Sequence, residues 1–236
     1  MTDRPDAAER EAYFELVRND FFTLRIEWRL YRSLFGTNPE TVDLLNAVSG
    51  PTASTLERVL FERCLLGLRR LTDNPKGYRG RSSSVTIKGL VERFGSDDQD
   101  LKRLVATAVK KSTFARDWSS KKIAHADLDY RQGRAQLEKA SRAKVETAMD
   151  SISAVLKWIS ATHFDTLLDT HPIPPWNDER EFLRALYLGQ NANREYEEQH
   201  ARLLEERRYR ELGALEKRFN RFPAWLYRED PPIDTD

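Results

Sequence analysis

Apolar residues recur three and four positions apart along most of this chain, which is the spacing that lines one face of an α-helix. Tyr13, Leu16, Val17, Phe21, Leu24, Trp28, Tyr31 and Phe35 predict a first helix from about Asp6 to Phe35, closed by Gly36 and Pro39. A short helix over Glu40 to Val48 and a break at Ser49-Gly50-Pro51 follow. Leu56, Leu60, Cys64, Leu68 and Leu71 then mark a long helix from Ala53 to Thr72. Asn74-Pro75 stops it, because a residue before proline disfavours the helical region. Pro75 to Ser84 reads as a basic, Gly- and Ser-rich loop.

Thr86 is placed to cap a short helix through Phe94. Ser96 with Gln99 has the spacing of a capping box and predicts the next helix over Asp97 to Phe114. Ala115 to Ala124 extends as helix into His125, and Leu128 to Lys139, with Gly133, reads as loop. From Ser141 the pattern Val145, Ala148, Met149, Ile152, Val155, Leu156, Ile159 predicts a core helix. His171 to Trp176 carries three prolines and marks a stiff boundary. Beyond it, Asp178 to about Phe219 reads as a helix with a thin apolar stripe and a possible interruption at Gly189.

The expected architecture is therefore all-α: a helical bundle over 1–170, a Pro-rich connector over 171–177, and a long charged C-terminal helix within 178–228. That helix is expected to pack on the bundle or on a second copy of the chain, with Phe222, Pro223, Trp225, Leu226 and Tyr227 anchoring its end. A disordered tail is expected over 229–236.

Composition narrows this picture. Ten Gly and ten Pro in 236 residues are few, which fits long helices better than the many turns of an all-β fold. The single cysteine, Cys64, excludes an internal disulfide and sits among leucines, where a buried thiol is expected. The polar N-terminus has no secretory apolar core, and no stretch approaches the roughly 18 apolar residues of a membrane span. The expected setting is reducing and cytoplasmic, away from membranes.

Net charge is +1, but its distribution is uneven. Between Lys76 and Lys122 there are 12 basic and five acidic residues, a local charge of +7 that would attract a polyanion. Asp178 to Arg221 is balanced instead, with ten of each sign.

The run Arg116-Asp117-Trp118-Ser119-Ser120-Lys121-Lys122-Ile123-Ala124-His125-Ala126-Asp127 concentrates what RNA cleavage needs. His125 is a candidate acid/base for a ribose 2′-hydroxyl or the leaving 5′-oxygen. Arg116, Lys121 and Lys122 are candidates to hold the scissile phosphate. Lys121 shares a face with His125 if the helix persists that far. Asp127 or Asp129 is placed to orient the imidazole. Ser119, Ser120, Arg69 and Arg70 are further candidates to line the nucleic-acid cleft. Each has a plainer alternative: Ser119 and Ser120 as helix residues, Asp127 as an N-cap, Arg69 or Arg70 as an ion pair with Asp73, and Trp118 as core. His163, His171 and His200 lack clustered partners. No metal or cofactor is expected. P-loop, dinucleotide fingerprint, His-Glu-x-x-His and GxSxG are all absent.

Lys122-Ile123-Ala124-His125-Ala126-Asp127 resembles the motif core of the HEPN superfamily, in particular its abortive-infection, AbiU-like branch. Arg70-Leu71-Thr72-Asp73 ahead of a loop and short helix, and the late Phe222-Pro223-Ala224-Trp225-Leu226, resemble the same branch. The resemblance implies a helical bundle that dimerises to join two motifs in one cleft. It also implies metal-independent endoribonuclease activity in an antiviral or toxin–antitoxin setting, with an antitoxin protein as a possible partner. The family's motif sets an arginine and a polar residue roughly four to six residues ahead of the histidine. This chain carries Ser119-Ser120 there, and Arg116 lies farther back. Either Arg116 or Lys121 supplies the cation, or the module binds RNA, a nucleotide or a protein without cutting.

Overall fold

The structure, a computed structural model, describes residues 6–76, 83–125, 127–171 and 178–219. It is all-α, and among the described residues β-pairing is limited to one isolated bridge, Lys76 to Ser83. Helix α1 (Ala7–Phe35) starts where the Asp6 carboxylate accepts from Glu9 N at 2.7 Å. Helix α2 (Pro39–Thr72) starts where Asn38 Oδ1 accepts from Thr41 N at 2.8 Å, with Pro39 at its first position, where no N–H is needed. The expected break survives as a kink at Ser49, whose backbone is extended (φ −165, ψ 95). Pro51 is tolerated because it opens the helical segment beyond that kink.

Three residues, Gly36–Asn38, join α1 to α2, so the two helices lie antiparallel. Their seam buries Phe14, Val17, Phe21, Leu24 and Trp28 with Cys64, Leu65, Leu68 and Leu71 in one core. Gly67 permits the close approach: a Cβ there would lie 2.8 Å from Leu24 Cδ1. Helix α3 (Ile87–Phe94) begins at Thr86, as expected. It leans on α1 through Gly89, where a Cβ would meet the Tyr13 hydroxyl.

Helix α4 (Gln99–Lys111) packs along α7 (Arg142–Phe164), which Ser141 caps. Leu101, Val105 and Ala108 of α4 meet the α7 stripe Val145, Ala148, Met149, Ile152, Val155, Leu156 and Ile159, all fully buried on α7. Each Val, Leu, Ile or Met among them contributes about 1.5–3 kcal/mol of burial free energy, opposed by the entropy of ordering it. Between them, α5 (Thr113–Trp118) runs on into a π-helical turn, Ser119–Ile123, and a one-turn helix α6 (Leu128–Arg131) follows.

Helices α8 (Asp178–Glu205) and α9 (Tyr209–Phe219) finish the described chain. The start of α8 lies on α1 and α2, where Leu183 and Leu186 touch the core and Arg29 pairs with Glu179 at 2.7 Å. The rest pairs with α9 over Leu203, Leu212 and the stacked Tyr196 and Phe219 rings.

Three expectations need correction. The cap of α4 is Asp98, whose carboxylate accepts from Leu101 N, because Gly95-Ser96-Asp97 is spent in a turn. The C-terminal helix passes through Gly189 and breaks at Glu206–Arg208 instead, where Arg207 adopts a left-handed conformation (φ 56). The stretch Leu128 to Lys139 contains α6, capped by Asp127. The centre of the basic loop (77–82), most of the proline boundary (172–177), the Phe222–Tyr227 anchor and the tail lie outside the described residues.

Candidate functional site

The segment 113–123 lies against the C-terminal half of α2, and the two run in opposite directions. Arg116 sits opposite Asp73, Ser119 opposite Arg69, and Lys122 opposite Glu62. Phe114 and Ala115 anchor the segment in the core, and Trp118 sets its ring edge-on to Phe61 at 6.1 Å.

His125 lies just past the π-helical turn, outside any helix, and is exposed. Among the described residues no hydrogen bond or ion pair engages its imidazole. The widened turn closes with Ala124 N donating to Ser119 O at 2.9 Å, and the helix ends there. The shared helical face expected for Lys121 and His125 therefore does not form.

Arg116, Lys121 and Lys122 each have an acidic partner. Lys121 Nζ pairs with Asp117 at 2.6 Å and donates to Gln136 O at 3.2 Å. Lys122 Nζ pairs with Glu62 at 3.2 Å and lies over the Trp118 ring at 4.6 Å. Adjacent helix positions point apart, so the two lysines serve different faces. Arg116 pairs with Asp73 at 3.2 Å and donates to Thr72 O at 3.3 Å. Arg116 lies nine residues before His125, about two turns back from the end of the π-helical turn.

Arg69 donates to Ser119 Oγ at 2.5 Å and lies 3.9 Å from Asp73. Ser119 is fully buried, so its hydroxyl serves Arg69 and is closed to a ligand. Ser120 is exposed and donates to Arg116 O at 2.9 Å, the ordinary back-bond of a helical serine. Arg70 points elsewhere, into a small hollow beside α1 with Asp20, Glu27 and Arg63. Asp127 accepts from Tyr130 N at 2.8 Å as the cap of α6, and Asp129 pairs with Arg134. Neither carboxylate contacts His125.

Two open hollows flank the segment, each of about 460 Å³. One gathers Arg116, Ser120 and Lys121 with Asp117, Gln136 and Glu138. The other gathers Lys122 and Trp118 with Tyr31, Phe61, Arg58 and Arg142. Asp117 binds the first together: Glu138 N donates to it at 2.7 Å. Partial burial raises its pKa, but hydrogen bonds from Lys121 and Glu138 outweigh burial and hold the carboxyl below its ordinary value.

Sequence reasoning missed Glu62 and Asp117 as the partners of Lys122 and Lys121. The i, i+4 spacing of Asp117 and Lys121 carried that pairing; nothing local signals the contact of Lys122 with Glu62. Elsewhere, His171 and His200 pair with Asp169 and Glu216, and His163 rests on Phe94 and Trp158. Burial pushes the Cys64 thiol up to about 12, so it is no nucleophile. Among the described residues no cluster of three His, Cys, Asp or Glu is placed to hold a metal, and no helix is long and apolar enough to cross a membrane.

The described chain is thus an all-α bundle with an exposed histidine just past the π-helical turn that ends segment 113–123. The HEPN_AbiU2 family (AbiU2) matches residues 8–182, from the first turn of α1 to the first turns of α8, and the chain belongs to this abortive-infection family. No curated protein and no solved structure matches it.

Proposed function

We propose that this chain is an RNA-directed defence protein that cleaves RNA without a metal, with His125 as the acid/base. The supporting observation is the state of His125: exposed, unpaired among the described residues, and placed directly after a turn bearing two lysines. An imidazole so placed can take the 2′-hydroxyl proton and return it to the leaving 5′-oxygen. Lys121 and Lys122 supply cationic charge near that end of the segment, once RNA phosphate competes for their carboxylate partners. A homodimer that joins two such ends would double the local charge, and a protein antitoxin would act by covering it. The reading expects purified protein to cut single-stranded RNA in EDTA and leave 2′,3′-cyclic phosphate ends, seen by mass spectrometry. Intact RNA after prolonged incubation would refute it.

A second reading rests on a different observation. Arg116 is set nine residues before His125, and each motif cation already has an acidic partner or, for Arg69, a buried serine. That arrangement suits a module that binds RNA without cutting it. It predicts salt-sensitive RNA binding and no new RNA ends.

A further inference from the structure

At the C-terminal end of α2, three cations from three elements gather around Asp73 and the adjacent Asn74. Arg69 comes from α2, Lys88 from α3 and Arg116 from α5. Arg69 Nε lies 3.9 Å from Asp73 Oδ2 and Arg116 Nη1 lies 3.2 Å from Asp73 Oδ1. Lys88 Nζ donates to the adjacent Asn74 Oδ1 at 2.8 Å. Burial and the neighbouring Arg116 guanidinium lower the pKa of Lys88, with Asp73 in partial opposition, so the charges feel one another. Among the described residues no second Asp or Glu forms an ion pair with any of the three. One negative charge thus faces three positive ones, and Arg69, Arg116 and Asp73 are all partly open to solvent.

The guanidinium groups are also aimed. Buried Ser119 fixes Arg69, and the Thr72 carbonyl fixes Arg116 at 3.3 Å. Two oriented guanidinium forks with uncompensated charge match the tetrahedral oxygens of a phosphate. Among the described residues no hydrogen bond or ion pair links the cluster to His125, which lies nine residues past Arg116.

We propose that Arg69, Arg116 and Lys88 form a phosphate-binding subsite that grips the RNA strand at a nucleotide away from the one cut at His125. This rests on the RNA reading above for the identity of the strand; the phosphate chemistry stands on the cluster alone. Asp73 keeps the subsite partly neutralised, and Ser119 is a positioning residue that holds Arg69.

The test uses the full chain and two probes: a single-stranded RNA oligonucleotide, bound by His125→Ala protein so that it is not cut, and inorganic tripolyphosphate. Arg69→Gln/Arg116→Gln should weaken both probes by about tenfold or more, the loss expected for charge-assisted hydrogen bonds. It should also lower the salt slope of RNA binding by about 0.7, one phosphate's worth on a single strand. Asp73→Asn should tighten both by about two- to fivefold, the range of an exposed ion pair, and a damaged fold would not produce a gain. Arginine-dependent tripolyphosphate binding without RNA binding would support the subsite and refute the RNA reading. Tripolyphosphate binding that is absent, or equal in wild type, Arg69→Gln/Arg116→Gln and Asp73→Asn, would overturn the subsite. Cleavage by wild type would in that case leave the RNA reading standing.

Discussion

Helix α7 and the segment 113–123 are both helical, both central, and held by opposite means. Seven apolar residues of α7 are fully buried, and the helix is fixed by packing. Segment 113–123 buries only Phe114, Ala115 and Ser119, and polar links tie it to its neighbours: Arg116–Asp73, Lys122–Glu62, Arg69–Ser119 and Asp117 to Glu138 N. Packing is non-directional and strong in sum, so α7 is a scaffold. Partly exposed ion pairs are individually weak and exchangeable, so the segment is held more loosely than the scaffold.

The comparison breaks most sharply at Ile152, fully buried on α7. Ile152→Ala should lower stability by about 2–5 kcal/mol in urea titrations, through lost burial and the cavity left behind. A change under 1 kcal/mol would mean that α7 is not the scaffold.

Asp117→Asn removes the charge that ties Lys121 and the Glu138 backbone to the segment. A loss of about 1 kcal/mol is expected, with faster proteolysis near Gln136. Because the folded carboxyl titrates below its ordinary value, this contribution is complete above about pH 3.9. It disappears as pH falls through the lower folded value. Acid titration of wild type against Asp117→Asn should show the two stability curves converge only below the ordinary carboxylate range. Convergence at neutral pH would contradict the assignment.

At the far end of the scale, Arg103 pairs with Asp100 on the open face of α4, where both side chains are about three-quarters exposed (74% and 70%). Arg103→Ala should change stability by less than about 0.5 kcal/mol in the same urea titration. A larger loss would show that surface pairs carry the fold after all.

The contrast also explains what could be read from the residues in order. The stripe of α7 and its start at Ser141, the extent of α1 and the Thr86 cap follow from local periodicity and capping chemistry, and all were legible. The cap at Asp98 rather than Ser96 turned on a three-residue turn that pattern alone does not fix. His125 and its basic surroundings were visible as a motif. The pairing of Arg69 with Ser119 was not, because it joins residues 50 apart through the antiparallel packing of two helices. Nor could the sequence show that a π-helical turn ends the helix before His125 and separates it from Lys121.

The account turns on the imidazole at position 125. Single-turnover cleavage of one RNA oligonucleotide in EDTA, by wild type and His125→Ala purified in parallel, tests it most directly. The expected loss is about 100-fold or more, with the folding midpoint unmoved, since the exposed ring supports no packing. Equal rates for the two proteins would contradict it.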